Sequence, residues 1–473
     1  MTQNIKLSLS LLVLLAGCAS APQGPVPLPA VAPISTEQTS FEQATFTESL
    51  PAIQQPASVA VKQASMEEEA ELLVPPLAEP LPDAGLTIEV LEQMALANNP
   101  SIGHAAARVR SLRGKYVQVG LPPNPSVGYA ASEVGQEGLA GQQGAFVGQD
   151  FIGGGKLEKN RAIVAAEIDK AEQALAATRI RVSTDVRMSY YRALVAQQRV
   201  ELATSLVELM GQAVQASQDL LEAEEIPKAG LLQTEVELQT VEIVLRNAEN
   251  EVSAAWQQLS AVIGDLALPP QKLAGDPKLL PDELVWEETL GRITTLSPEM
   301  AAAVAELSRS RRALNRAYAE PVPDLNTQFM VQYDDSTNFT VGGIQVGIPL
   351  PLWNKNQGGI RQAQAEISVA SQNIDRVALD LQNRLATTFR DYANARSQAQ
   401  MYSANILPRA AQTFDLVRIG YSQGEVGYLD LLTAERTYAQ TNLAYLDALD
   451  ALWQSHVKID GLLLTESLAT PPE

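Results

Sequence analysis

The sequence predicts a mainly α-helical fold with a small β part, built from two copies of one large unit. Near the C-terminus, apolar or small residues recur at alternating spacings of three and four, which is the a/d seam of a coiled coil. This seam consists of Leu431, Ala434, Tyr438, Thr441, Tyr445, Ala448, Leu452, Ser455, Ile459 and Leu462. About 200 positions earlier the same spacing recurs, which indicates an internal repeat. The earlier seam consists of Leu231, Thr234, Leu238, Val241, Leu245, Ala248, Val252, Ala255, Leu259 and Val262.

The duplication extends upstream of the two seams. Ala165-Ala166-Glu167-Ile168 corresponds to Gln364-Ala365-Glu366-Ile367, and Asn99-Pro100 corresponds to Ser297-Pro298. A period this long is not that of a solenoid, so we expect two copies of one unit. Each copy predicts a short helix, two strands and then a very long helical hairpin.

The strands of the two copies differ in clarity. In the first copy they cover residues 127–134 and 145–151 and are weakly patterned. In the second, apolar and polar residues alternate from Leu325 to Asp334, as in a half-apolar strand of the length that a bilayer requires. Its partner, residues 339–350, changes phase at Gly342-Gly343, which predicts a β-bulge.

The helices of the hairpins are unusually long. A helix from Lys156 to about residue 225 would extend for about 100 Å, more than a globular domain needs. The corresponding helix of the second copy starts at Gln357 and contains Pro408, which predicts a break or kink near Ile406. A plain coiled-coil rod would also have long helices, but it would not explain the inserted strand pairs.

The N-terminus has the features of a secretory signal peptide, predicted over residues 1–17. Lys6 precedes an apolar core, and the run ends in small residues before Cys18. Leu15-Ala16-Gly17-Cys18 resembles a bacterial lipobox, which would make Cys18 the lipidated first residue; the alternative is an ordinary signal peptide with a free Cys18. Ala19 in place of Asp favours the outer membrane under the lipoprotein sorting rule. Cys18 is the only cysteine, so no intrachain disulfide can form.

The acidic composition limits the classes of partner. The net charge of −21 argues against nucleic acid, since binding it requires a basic surface that neutralises phosphates. This charge suits a periplasmic surface or a water-filled, cation-tolerant lumen, and it is equally compatible with simple solubility. The chain lacks the ~18 consecutive apolar residues of a transmembrane helix, so a membrane-spanning form would have to be a closed β-barrel.

Several spaced motifs near the C-terminus carry a family resemblance. Ile406-Leu407-Pro408, Gly420-Tyr421, Gly424, Tyr428-Leu429-Asp430-Leu431-Leu432 and Ala434-Glu435-Arg436 together resemble the C-terminal repeat motif of the TolC family of outer-membrane efflux channels. The run from Pro349 to Gly358 resembles the strand-to-helix junction of the Cus/Czc-type metal-efflux branch. The resemblance covers about residues 85–464.

The resemblance implies an architecture and a set of partners. Open strand edges are not tolerated in lipid, and three chains would supply about twelve strands. The implied structure is a homotrimeric β-barrel continuous with a long α-helical coiled-coil barrel. It would be the outer-membrane exit duct of a tripartite efflux system, surrounded by outer-membrane lipids and working with a periplasmic adaptor protein and an inner-membrane transporter, expected to be of the RND type. Heavy-metal cations are the favoured cargo; the alternatives are multidrug efflux, type I secretion or, in another class, a periplasmic structural coiled-coil lipoprotein.

The same resemblance assigns site residues. The periplasmic aperture would involve Tyr421, Glu425 and Asp430, whereas Val426 and Thr433 depart from the arginine and second aspartate of TolC. On local grounds the hairpin tips are simply turns, and the alternative role of Asp430 is that of an acid that only caps the helix that follows. The remaining assignments are adaptor-contact tips at Glu225, Ile226, Pro227, Gly230, Gly424 and Gly427, and membrane-interface aromatics at Phe151 and Trp353.

No catalytic, cofactor or metal site is expected. Gly153-Gly154-Gly155-Lys156 lacks the spacing of a phosphate-binding loop and predicts a strand-to-helix turn. His104 and His456 are far apart, and no cluster of histidines and cysteines occurs. We therefore expect no enzyme activity. The predicted segments are a signal peptide (1–17), an acidic Pro-rich lipidated tether (18–84), a first repeat (85–264), a linker (265–295), a second repeat (296–464) and a tail (465–473).

Replacement of the predicted lipidation site gives a direct test. Cys18→Ser should abolish acylation and slow maturation, because the modified thiol is absent. Labelling of cells with radioactive fatty acid measures this. A wild-type chain that never takes up the label would show that the lipobox interpretation is wrong.

Overall fold

A computed structural model describes residues 85–135, 138, 140–423 and 425–469. The predicted signal peptide, the tether with Cys18, Gly424 and the last residues of the tail lie outside the described residues. Within them, the same order of elements occurs twice: two helices, two strands, a long helix and a return helix. The first copy contains α1 (Ile88–Asn98), α2 (Pro100–Gln118), β1 (Ser126–Ser132), β2 (Gln142–Phe151), α3 (Lys156–Glu222) and α4 (Lys228–Ile263). The second contains α5 (Trp286–Leu296), α6 (Pro298–Ala319), β3 (Leu325–Asp334), β4 (Phe339–Gly347), α7 (Gln357–Met401), α8 (Leu407–Ser422) and α9 (Tyr428–Asp460).

The first helical pair of each copy breaks at the same place for the same reason. Asn99 ends α1 and its side chain accepts a hydrogen bond from the backbone N–H of Ser101, at 2.9 Å. Ser297 does the same for Glu299 at 3.2 Å. In both copies a proline follows as the first residue of the next helix, where its missing N–H removes no helical hydrogen bond. Helix α5, the counterpart of α1, falls almost wholly within the predicted linker.

The four strands form one antiparallel sheet in the order β1-β2-β3-β4. Strands β2 and β3 join the two copies, with Gln142 opposite Asp334 and Phe151 opposite Leu325. The β3–β4 register runs without an insertion, so the predicted bulge at Gly342-Gly343 is wrong. Gly343 lies opposite Met330, and a Cβ at this glycine would come within 2.8 Å of Met330 Cγ. The glycine therefore makes room for a cross-strand side chain, with no inserted residue in the strand.

The long helices follow the prediction closely. Helix α3 has 67 residues and continues through Gly211 without a break. In the second copy a π-helical segment, Tyr402–Ile406, separates α7 from α8 and confirms the predicted irregularity near Ile406. Pro408 then occupies the first turn of α8. π-helical turns are rare, and where they occur inside a long helix they are one of the identifiable causes of a kink.

The two a/d seams form the core. Every residue of the α9 seam is buried or half-buried, and Leu452 and Ile459 are completely buried. The C-terminal half of α9 packs in a cluster with Leu381 and Leu385 of α7, and its first turns pack in another cluster with Phe414 of α8. The seam of α4 is likewise without an exposed residue and packs against α3.

Polar contacts between the two hairpins accompany this apolar packing. Arg199 of α3 binds Glu251 of α4, at 2.6 Å, and also the carboxylate of Asp447 of α9. The ring of Tyr191 stacks on Trp453 at a centroid distance of 3.8 Å. The contacts of Arg199 with Asp447 and of Tyr191 with Trp453 join α3 of the first copy to α9, so the two copies pack together in the described part of the chain.

Truncation of a seam leucine should destabilise the protein. Leu452→Ala leaves a cavity in the α7–α9 core, at a cost of about 2–5 kcal/mol, and should lower the midpoint of thermal helix loss measured by circular dichroism. Leu429→Ala is the matched control, because Leu429 lies on the same helix and is 67% exposed. Equal midpoints for the two variants would contradict the seam assignment.

Candidate functional site at the hairpin tips

The first tip connects α3 to α4 by a short turn. Glu224 adopts a left-handed conformation, with φ of 59°, and the backbone N–H of Glu225 donates to Leu220 O at 2.9 Å. Pro227 is the N-cap of α4 and accepts from the N–H of Gly230 at 2.8 Å. Glu225 and Pro227 are exposed, whereas Ile226 is half-buried. The tip therefore presents an acid and a proline outward.

Ile226 and Gly230 lie at the start of α4. Both residues are half-buried, and a Cβ at Gly230 would lie 3.6 Å from Ile226 Cδ1, at ordinary contact distance, so the space beside Gly230 would accept a small side chain. The roles of Glu225, Ile226, Pro227 and Gly230 as adaptor contacts stay a prediction.

The second tip, between α8 and α9, is organised around Gly420. Its carbonyl accepts from the N–H of Glu425 at 2.8 Å and from the N–H of Val426 at 3.3 Å. A Cβ at Gly420 would come within 2.6 Å of Val426 Cγ2, so a side chain there would displace the turn. Gly427, the exposed N-cap of α9, accepts from the N–H of Asp430 at 3.1 Å.

The three predicted aperture residues differ in exposure. Glu425 and Asp430 are exposed at the tip. Tyr421 is instead 9% exposed and packs in a cluster with Phe414 and Leu431. The aperture assignment of all three residues stays a prediction.

A buried polar cluster lies below the tips, and the sequence did not predict it. Glu237 of α4 and Glu435 of α9 are both buried beside the two seams. Arg436 binds Glu237 through two hydrogen bonds, from Nε to Oε1 at 3.1 Å and from Nη2 to Oε2 at 2.6 Å. Burial, and then the nearby Glu237, raise the pKa of Glu435 to about 7, with Arg436 opposing the shift. The sequence did contain a signal for this buried cluster, because each copy has an acid next to a seam position. Glu237 precedes Leu238, and Glu435 follows Ala434.

The predicted membrane-interface aromatics lie on exposed surface. Phe151 ends β2 with 54% of its surface exposed, and Trp353 in the β4–α7 loop is 86% exposed. Leu350 and Leu352 in the same loop are exposed as well. At the other strand-to-helix junction, Lys156 begins α3 and is paired with Asp324 at 2.9 Å. This confirms the turn predicted there.

The described residues offer no resident metal site. No group of three or more potential metal-ligating side chains occurs among them. His456 lies against the rings of Tyr392 and Trp453, and burial lowers its pKa. In the part of the chain that the structure describes, no helix combines the length and the apolarity needed to cross a membrane.

A family comparison decides what kind of protein carries these features. The family model described as "Outer membrane efflux protein" matches residues 91–265 and 290–463. The chain belongs to this family. The two matched ranges correspond to the two structural copies described above.

This outer membrane efflux protein is similar to one relative in sequence and to two solved structures in fold. The cobalt-zinc-cadmium resistance protein CzcC of Cupriavidus metallidurans is 28% identical over 378 residues, covering 80% of this chain and 90% of CzcC. The structure of the channel CusC is similar with a TM-score of 0.67 at 18% identity, covering 80% of this chain and 92% of that one. The outer membrane protein VceC of Vibrio cholerae gives a TM-score of 0.64 at 18% identity, covering 79% and 95%. These structural matches confirm the predicted duplicated, mainly helical fold with a small sheet.

Proposed function

We propose that this outer membrane efflux protein is the homotrimeric exit duct of a tripartite system that exports divalent metal cations. The observation that carries the choice of cargo is the similarity to CzcC, which extends over nine-tenths of that cobalt-zinc-cadmium resistance protein. The Pro349–Gly358 junction, which resembles that of the metal-efflux branch, supports the same choice. A periplasmic adaptor, an RND-type inner-membrane transporter and lipidation at Cys18 belong to this proposal.

The sheet supports assembly of several copies. Among the described strands, β1 and β4 are each paired on one side only. Their free backbone N–H and C=O groups need partners wherever water is absent. Pairing of β1 with β4 of a neighbouring copy would supply them and would repeat around a ring, because the contact is head-to-tail.

The helices carry matching exposed apolar faces. Leu232, Val236 and Ile243 of α4 are half or more exposed, and so are Val369 and Leu379 of α7. No described part of the same chain covers these side chains. In a ring of copies, the α4 face of one protomer would meet the α7–α8 face of the next and remove this apolar surface from water.

The exposed acids of the tips favour cations. Glu225, Glu425 and Asp430 would be present in three copies each, close to the mouth of the assembly. Like charges at a narrow opening raise the local concentration of cations and repel anions. A duct with this mouth would conduct divalent cations without holding them at a fixed site.

Deletion of the gene tests the cargo. The deletion strain should become sensitive to cobalt, zinc or cadmium salts and accumulate the ion, while its resistance to hydrophobic drugs stays unchanged. Elemental analysis of washed cells measures the accumulation, and complementation with the wild-type gene is the control. Loss of drug resistance with normal metal content would overturn the proposed cargo.

Asp430→Asn tests the role of the mouth. Asp430 is the N3 residue of α9 rather than its N-cap, and Asn removes the charge while keeping the shape and hydrogen-bonding capacity of the side chain. We expect the cation-to-anion permeability ratio in planar bilayers to fall by at least about twofold, with the oligomer intact. Glu249→Gln, an exposed change far along α4, is the control. Unchanged selectivity would leave Asp430 as an acid that only stabilises the helix N-terminus.

A further inference from the structure

Glu435 is a buried acid without a hydrogen-bond partner. Only 4% of its surface is exposed, and the described groups that act on its carboxylate do so through charge and burial, not through a hydrogen bond. The guanidinium of its neighbour Arg436 makes both of its hydrogen bonds to Glu237 instead. A buried carboxylate in this position must either be stabilised by a partner or take up a proton.

The elements around Glu435 supply few ionisable groups. Helix α4 contributes Glu237, which is 7% exposed, and α9 itself contributes Arg436 and Tyr428. Helix α8 contributes Tyr421, whose ring centroid lies 6.3 Å from that of Tyr428. Among the described residues, Arg436 is the only positive charge that acts on Glu435, and it is already bound to a second acid, Glu237.

The side facing α3 is polar but uncharged. Thr234 of α4 donates to the hydroxyl of Ser217 of α3 at 3.1 Å, and both residues are buried. The hydroxyl of Tyr421 is also buried and has no hydrogen-bond partner among the described residues. The two buried acids, Glu237 and Glu435, lie where the start of α9 packs against the first hairpin.

We propose that Glu435 is a positioning residue that binds one proton, and that this proton keeps the first turns of α9 packed against the first hairpin, where Leu209 and Leu220 of α3 lie against Leu431 and Ala434. Loss of the proton leaves two buried carboxylates near a single, largely exposed arginine and weakens the contact between the hairpins. Any movement of the tips during efflux would depend on the function proposed above. The protonation of Glu435 and its effect on packing do not depend on that function.

The direction of the pH dependence follows from linkage. In the packed form the pKa of Glu435 is raised from 4.5 to about 7, whereas an open form would return it to the ordinary value. The packed form therefore binds the proton more tightly, and its advantage is complete below the ordinary pKa. As the pH rises between these two pKa values, the advantage of the packed form is lost progressively, and the opening equilibrium constant increases by up to about tenfold per pH unit. Above both pKa values the equilibrium no longer depends on this proton.

Infrared spectroscopy of the purified full-length protein tests the protonation. The carbonyl band of a neutral carboxylic acid should be present at mildly acidic pH, titrate with a midpoint near 7 and be absent from Glu435→Gln. Glu237→Gln should lower the midpoint, because it removes the like charge and frees Arg436 to bind Glu435. Glu242→Gln, an exposed acid on the same helix, should leave the band unchanged. Absence of a difference band, or an unshifted midpoint in Glu237→Gln, would overturn the proposal.

Hydrogen exchange tests the effect on packing. After correction for the intrinsic pH dependence, backbone amides in residues 428–438 should exchange faster in the wild type as the pH rises from about 5 to 7. In Glu435→Gln, which mimics the protonated acid, their corrected exchange should be independent of pH. If the corrected exchange in the wild type does not change with pH, the proposed effect of the proton on packing is refuted, even if the acid band titrates. Neither measurement involves transport, so each stands apart from a failure of the proposed cargo or duct.

Discussion

Two long helices, α4 and α9, each carry one continuous apolar stripe, and water must be kept from both stripes over their whole length. A single helix cannot do this, so each folds back on a longer helix, α3 in the first copy and α7–α8 in the second. This packing sets the length of the hairpins and places both turns at the same end. It also brings Arg199 of α3 within reach of acids on α4 and α9. The sheet at the other end is held by the same helices, because every strand pair is inserted directly before a hairpin.

Small residues make the packing close. The α9 seam contains Ala434, Ala448 and Ser455, and all three are buried. Ser455 returns its hydroxyl to the carbonyl of Ala451 at 2.7 Å, so a polar side chain is accommodated in the core at little cost. Helices with such seams approach closely over several turns.

The elements that the sequence predicted well are those set by local periodicity. The seams, the 67-residue helix and the irregularity before Pro408 each depend on residues that are neighbours in the chain. The two glycines at 342 and 343 were wrongly interpreted as a bulge. Gly343 instead makes room for the side chain of Met330, which belongs to another strand and could not be seen from the local sequence. The Glu237–Arg436 pair was missed for the same reason, since its residues are 199 positions apart. Tyr421 was assigned to an aperture by resemblance, and its burial against Phe414 follows only from the packing of α8 on α9.

The site contains two groups of acids, one exposed at the hairpin tips and one buried below them. Acids at the tips are exposed and, in the proposed duct, would act on passing ions, whereas the acids below the tips are buried and act on each other. Sequence resemblance could point to the first group, because Glu425 and Asp430 lie in a recognisable motif. Their function depends on how several copies surround the opening, and a single chain does not determine that arrangement.

The central claim is that copies of this chain enclose a water-filled duct. Conductance of the purified full-length protein in a planar lipid bilayer tests it most directly. The account predicts discrete, stepwise increases of current, each from the insertion of one oligomer, with cations carrying most of the current. A folded protein that associates with the bilayer and produces no steps would contradict the account.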